Sequence, residues 1–483
     1  MKRKIIWKHL MSRRWTILRT ELFTKGYVEP LKNYIGIPNR ELLVTKELET
    51  SSLYNSLDSM NEISLALLNK LKNDKDFGLR IYKDCIKSCE YLVQVSKDVS
   101  QGNFKSLSSQ TLVKIFDIYV DTALNFTPFL ALPPNYEMYI IDEINQSLVE
   151  KVGDSKSEEY LQKLMSLKEY PFQMLEQIDL ANIALRIKLK TDINKALIVH
   201  KRKYQWLSCY NFDEVEFSLE DFKKRLEILQ ELSFSELSNK VNCMIEKLNS
   251  DKNEFQRVIN KLGLSNGLIN KIKLLREFVF LRTYRIEMNS QSNFYLKPLL
   301  REISERGNIS VRQLAMMLSD EIKTMLLEGK VPNSVNFKDR EKYAVFWLHN
   351  AKYHYAFGSK AKKVISKQIV DVKKGNQALF VKGTTASLGK IITGNVRLVN
   401  KHNMSEFKKG EILVTTMTSP ELVPAMHKAA GIVTDEGGVT CHAAIVSREF
   451  NIPCIVGTGN ATKVFKDGDF IEVNTEFATA KII

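Results

Sequence analysis

The segment Gly437-Gly438-Val439-Thr440-Cys441-His442 gathers the residue types best suited to covalent chemistry in this sequence. An imidazole offers a nitrogen lone pair near neutral pH, and histidine is among the side chains that form covalent intermediates. Two consecutive glycines allow a sharp turn and a close backbone approach to a ligand. Thr440 suits a helix N-cap, which places His442 in the first turn of Ala443-Ala444-Ile445-Val446-Ser447-Arg448-Glu449. Unpaired N–H groups and the positive helix end gather there and can hold phosphate. The expected chemistry is a His442 nucleophile that carries a phosphoryl group, with Thr440, Gly437, Gly438 and Cys441 steadying the phosphate. The plain alternative is a histidine satisfied by its own backbone surroundings.

Elements must hold this segment in place. Gly431-Ile432-Val433-Thr434-Asp435 precedes it, and Asn451-Ile452-Pro453-Cys454-Ile455-Val456-Gly457 follows it. Both are apolar, β-branched runs, so the order reads strand, glycine turn, helix, strand. Val396-Arg397-Leu398-Val399 and Glu411-Ile412-Leu413-Val414 read as further strands. Residues 415–421 read as a loop opening a helix through Met426, with Pro420 suited to the first turn. This loop and the glycine turn both follow short strands, so they are expected at one edge of a sheet. Thr418 and Ser419 would then help to hold phosphate, or only cap the helix. Arg448, six residues past His442, points about 120° away from it around a helix. It is expected to dock the domain or pair with an acid rather than touch the phosphate.

The full pattern, from Gly437-Gly438 through Cys441-His442-Ala443-Ala444 to Ile452-Pro453-Cys454-Ile455-Val456-Gly457, resembles the phosphohistidine signature of the PEP-utilising enzymes. That family includes phosphoenolpyruvate synthase, pyruvate phosphate dikinase and rifampin phosphotransferase. The resemblance runs over residues 383–473, and Gly383-Thr384-Thr385-Ala386-Ser387-Leu388-Gly389 is similar to the family's Ala-Ser-x-Gly entry motif. It implies a swivelling α/β domain with His442 as the phosphorylated residue, charged by an ATP-grasp domain and discharged to an acceptor at a second site. No Gly-x-x-x-x-Gly-Lys-Ser/Thr loop occurs, and helical periodicity begins at once. ATP and Mg²⁺ are therefore expected on a separate ATP-grasp partner, with no metal site on this chain. No PEP-binding barrel is expected after His442, because the sequence ends at Ile483. The layout resembles rifampin phosphotransferase without its ATP-grasp domain. The acceptor is left open among pyruvate, an antibiotic, a phenol and a nucleotide-like compound. A phosphocarrier with no small-molecule acceptor is the alternative.

Composition separates the chain into two parts. Of its 21 glycines, 10 fall in the last 108 of 483 residues, and the first 375 residues carry +14 of the net charge of +15. The expected fold class is multidomain, with a large mainly-α domain followed by a C-terminal α/β phosphohistidine swivelling domain. The expected boundaries are 1–358 for the helical part, 359–375 for a Lys-rich linker and 376–483 for the α/β domain. In the front part Trp7, Leu10, Met11, Trp15, Leu18 and Leu22 make one helical stripe, as do Leu53, Leu57, Met60, Ile63, Leu67, Leu68 and Leu71. Residues 125–135 read as a Pro-rich loop, and 347–355 as a last helix with polar aromatics. Ser310-Val311-Arg312-Gln313 fits a capping box whose helix continues to Gly329.

Arg282 and Arg285 share one face of an apolar helix that resembles part of the family's central helical domain. They either hold the acceptor's phosphate or carboxylate, or pair with Glu277, Glu287 or Glu302. The basic front surface suits a phosphorylated ligand, a nucleotide or an acidic protein. Its lysines are spread along helices rather than clustered in a nucleic-acid motif, which argues against a nucleic-acid partner. Six scattered cysteines without Cys-x-x-Cys spacing fit a reducing cytoplasm. No uninterrupted apolar run approaches the roughly 18 residues of a spanning helix, so no membrane partner is expected.

Overall fold

The computed structural model describes residues 5–369, 380–400, 403–419, 422–439 and 441–483. The chain forms two compact units that cut across its linear order. One comprises residues 1–141, 209–216 and 284–372; the other comprises 142–208, 217–283 and 373–483. The C-terminal sheet thus shares a unit with two helical segments from the middle of the chain.

The first unit is helical around an antiparallel sheet that the sequence reading did not anticipate. Its strands are β1 (Trp7–Arg13), β2 (Leu42–Glu47), β3 (Thr50–Ser56), β4 (Tyr343–His349) and β5 (Lys352–Phe357), in the order β1-β3-β2-β4-β5. The expected N-terminal helical stripe is therefore strand β1 followed by the helix Ile17–Gly26. The ladder shifts register between His9 and Met11, so Leu10 breaks the two-residue alternation and mimics a helical period. The expected helix over 347–355 is the β4-β5 hairpin. Asn350 and Ala351 turn it with positive φ of 49° and 60°, the geometry that matches strand twist. The stripe from Leu53 likewise begins in β3, and its helix starts at Leu57.

Three further expectations change here. Pro128 opens the helix Pro128–Val152, and Pro133 and Pro134 lie inside it at the cost of two amide donors, so 125–135 is no loop. The Ser310 capping box is present, but its helix stops at Leu314 and a second runs Ser319–Glu328 before left-handed Gly329. Residues 359–368, expected as linker, lie in the helix Gly358–Gln368. Ala361 and Ile365 pack there with Leu43 and Val345 of the sheet, which leaves the lysines to solvent. The rest of that expected linker lies outside the described residues. The stretch Ser109–Pro133 is long and apolar enough to cross a membrane, and 56% of its most apolar window is buried in the fold.

The second unit joins helices Asp154–Leu164, Phe172–Lys188, Asn194–Tyr204, Leu219–Gln230 and Phe234–Leu262 to an eight-stranded mixed sheet. Its strands are β6 (Phe380–Lys382), β7 (Thr384–Ser387), β8 (Ile392–Leu398), β9 (Ile412–Thr415), β10 (Gly431–Thr434), β11 (Cys454–Val456), β12 (Phe470–Asn474) and β13 (Thr479–Ile482). They lie in the order β6-β13-β12-β8-β9-β10-β11-β7, with β8 to β11 parallel. Alternation sends successive residues to two cores. Ile412, Val414, Val433 and Ile455 meet Val381, Ile471 and Val473 on one face. Leu413, Ile432, Cys454 and Val456 meet the helices Val423–Lys428 and His442–Glu449 on the other. Strands β6 and β7 occupy opposite ends of the order although only Gly383 separates them. A Cβ on Gly383 would fall 2.5 Å from the Val456 carbonyl oxygen, so glycine alone fits that bend.

Candidate functional site

Two loops leave the same edge of the parallel strands. Thr415 of β9 faces Thr434 of β10, and the ladder extends past both strands through Asp435 N–H to the Thr415 carbonyl (3.1 Å) and Glu436 N–H to the Thr416 carbonyl (2.9 Å). The carboxyl edge of parallel strands is where α/β sheets receive ligands. Here it brings Thr418 to His442, with the threonine hydroxyl 2.7 Å from Nδ1 of the imidazole. Thr418 is buried and the imidazole is half-buried, with its Nε2 atom shielded from solvent. Ser419 accepts at its carbonyl from the Leu422 N–H (3.0 Å), just ahead of the helix Val423–Lys428.

The second loop is shaped by its glycines. Gly437 has φ of +115°, and a Cβ there would lie 2.7 Å from Cys441 Sγ. A Cβ on Gly457 would lie 2.8 Å from the Gly437 carbonyl oxygen, so two backbones pack directly under the turn. Gly438 has open space around it and accepts at its carbonyl from Cys441 N–H at 2.9 Å. Asp435 is buried and receives the Thr462 N–H at 2.9 Å and the Thr462 hydroxyl, which pins the neighbouring 457–462 loop.

The N-cap differs from expectation. The helix His442–Glu449 is capped by Cys441, whose extended backbone precedes it and whose Sγ accepts from Ala444 N–H at 3.5 Å. Thr440, expected as the cap and as a phosphate ligand, lies outside the described residues. His442 still occupies the first helical position, where backbone N–H groups point outward. Burial pushes the nearby Cys454 thiol well above its ordinary range, which keeps it protonated. Arg448 turns back along its own helix, donating from Nε to the Ala444 carbonyl (3.0 Å) and from its guanidinium to the Val439 carbonyl. It clamps the glycine turn, a role neither expected alternative covered.

Arg285 is buried and donates to the Phe129 carbonyl at 3.0 Å. Arg282 is half-buried on the same helix, Asn266–Arg306. Among the acids expected as partners, Glu277 pairs with Lys168 and Glu302 with Arg306 (2.8 Å).

The sequence reading missed the contacts that hold this domain against the helices of its own unit. The Tyr170 hydroxyl donates to the Glu449 carboxylate at 2.6 Å, with the Met244 carbonyl 2.7 Å away, and both side chains are buried. Lys428 lies 3.2 Å from Glu231.

Comparison with known proteins agrees with this geometry. Residues 407–476 match the family described as "PEP-utilising enzyme, mobile domain". The chain is 52% identical over 100 residues to a probable phosphoenolpyruvate synthase of Methanothermobacter thermautotrophicus, a match covering 20% of this chain and 14% of that protein. It is 49% identical over 189 residues to a probable phosphoenolpyruvate synthase of Staphylothermus marinus, covering 37% and 22%. A longer match joins it to the uncharacterised phosphotransferase YvkC of Bacillus subtilis, 29% identical over 301 residues, 56% of this chain and 34% of that one. The chain thus spans between about a seventh and a third of the length of these relatives. With its glycine turn, its histidine and its mixed sheet, the C-terminal part of this chain is similar to the mobile domain of the PEP-utilising enzymes.

Proposed function

We propose that this protein is a cytoplasmic phosphotransferase component. His442 takes a phosphoryl group from an ATP-grasp partner that binds ATP and Mg²⁺, and hands it to a small-molecule acceptor held by the helical part. The observation that carries this reading is the 2.7 Å contact between Thr418 Oγ1 and His442 Nδ1 at the start of a helix. When Nδ1–H donates to the hydroxyl, the lone pair resides on Nε2, the nucleophilic nitrogen. Attack of Nε2 on phosphorus forms an N–P bond as the bond to the nucleotide breaks, and the displaced nucleotide keeps the electron pair. In the second step the acceptor's nucleophile attacks phosphorus, the N–P bond breaks, and the imidazole returns to neutrality. The helix N-terminus offsets the phosphoryl charge between the two steps. Nε2 is shielded from solvent in this structure, so charging requires the surroundings of His442 to open.

The test uses the full chain, a purified ATP-grasp protein and γ- and β-labelled ATP. Acid-labile label should appear on this chain and be absent from His442→Ala, while Cys441→Ser keeps it. Label that persists in His442→Ala would sink the proposal. Stable label on His442 that no added acceptor discharges would favour the carrier reading over a transferase.

A further inference from the structure

Away from His442, the mobile domain and the helices beneath it enclose a cavity of about 130 Å³. Helix Phe172–Lys188 contributes Gln177, Leu180 and Ala181, and helix Leu219–Gln230 contributes Ile228 and Leu229. Met244 closes one wall, and Val423 and Pro424 of the mobile domain close the other. The position is fixed by His427, which lines the cavity and whose ring lies 4.0 Å from that of Phe450, just past the C-terminal end of the His442 helix. Eight helical residues rise about 12 Å, so His442 stands at the far end of that helix from the cavity.

The chemistry of the walls is uneven. Most are aliphatic, yet Gln177 is over nine-tenths buried and its Oε1 has no hydrogen-bond partner among the described residues. A buried acceptor left unmatched costs about 1–3 kcal/mol, which a ligand donor would recover. Lys409, Lys428 and Arg225 also line the cavity, against one lining acid, Glu231. Glu176 behind Arg225 and Glu231 beside Lys428 offset two of those cations, which leaves Lys409. A positive excess remains at an apolar hollow whose volume suits one aromatic ring or a short hydrocarbon chain.

We propose that this cavity binds a small amphipathic acid: its apolar body fills the hollow, a hydroxyl or N–H donates to Gln177, and its carboxylate faces Lys409. Such an occupant touches both the mobile domain and the helices, so it strengthens their contact. By reciprocity, weakening that contact weakens the ligand.

Binding of 4-hydroxybenzoate, octanoate and neutral octanol to the full chain tests this by calorimetry and ligand-observed NMR. Both acids should saturate one site at millimolar concentration or below, and octanol should bind more weakly. Ala181→Phe, which fills the hollow, should remove binding, with its melting curve checking the fold. Gln177→Leu should weaken 4-hydroxybenzoate by about tenfold and octanoate little, the effect of losing one hydrogen bond at a buried site. Lys409→Gln should weaken both acids but not octanol, and Tyr170→Phe should weaken all occupants. No saturable binding of either acid, or binding that Gln177→Leu and Lys409→Gln leave unchanged, would overturn the proposal.

Discussion

His200 and His442 belong to the same unit and carry the same side chain into opposite environments. His200 is 3% exposed, sits 3.0 Å from the Glu176 carboxylate, and is walled by the rings of Tyr204 and Phe222. Arg225 binds the other oxygen of Glu176 at 2.5 Å. His442 has a neutral hydroxyl as its partner and opens a helix at a sheet edge. The first arrangement spends the imidazole on holding helices together. The second sets the ring against a hydroxyl at a helix N-terminus, the kind of place that receives phosphate. The neighbours, more than the residue type, separate a structural histidine from a chemical one.

That contrast can be broken by experiment, beginning where the effect is largest. Thr418→Val removes the hydroxyl that orients His442 and should slow phosphoryl labelling by about tenfold to a hundredfold, with Thr418→Ser close to wild type. A full-rate valine variant would remove the hydroxyl from the account. His200→Leu should do the reverse. Labelling stays, while the denaturation midpoint in urea falls by an amount equal to about 2–4 kcal/mol, from a broken buried network. Gly437→Ala must hold a positive φ and crowd Cys441, so a loss of about 1–3 kcal/mol is expected, with slower labelling because the turn beside His442 shifts.

The smallest effect is a slope. Burial opposes ionisation of Glu176, but Arg225 and His200 overcome it and hold the carboxyl below its usual range. The folded state therefore binds this proton less readily than the unfolded chain, whose glutamate titrates near about 4.3. The resulting stability is complete above that pH and drains as pH falls through the lower folded value. Stability measured from pH 5 downward should fall more steeply in wild type than in Glu176→Gln, which lacks the titration. Parallel slopes would show that the pair does not couple to folding.

The two regions were unequally legible. Around His442 the signals agree: β-branched runs at strand length, paired glycines, and a motif long enough to be specific. The strands at 392–398 and 412–415 lie where their apolar runs stood. Thr418 was readable because two loops after neighbouring parallel strands must emerge together. The front sheet was not readable. Leu42 pairs with Leu348 across most of the chain, the bulge near Leu10 hides strand alternation, and Asn350-Ala351 turns a hairpin without a glycine. Glu449 and Tyr170 escaped for a related reason. Their bond joins residues 279 positions apart, and nothing local announces it.

The bend at Gly383 has a consequence for handling rather than for chemistry. One short run of chain supplies both ends of the eight-strand order, β6 on one flank and β7 on the other. The flanks left open are three and four residues long, too short to recruit a passing strand. Few of its backbone groups are therefore left for another strand to pair with, so the isolated unit should stay dispersed at concentrations where a long open edge would associate.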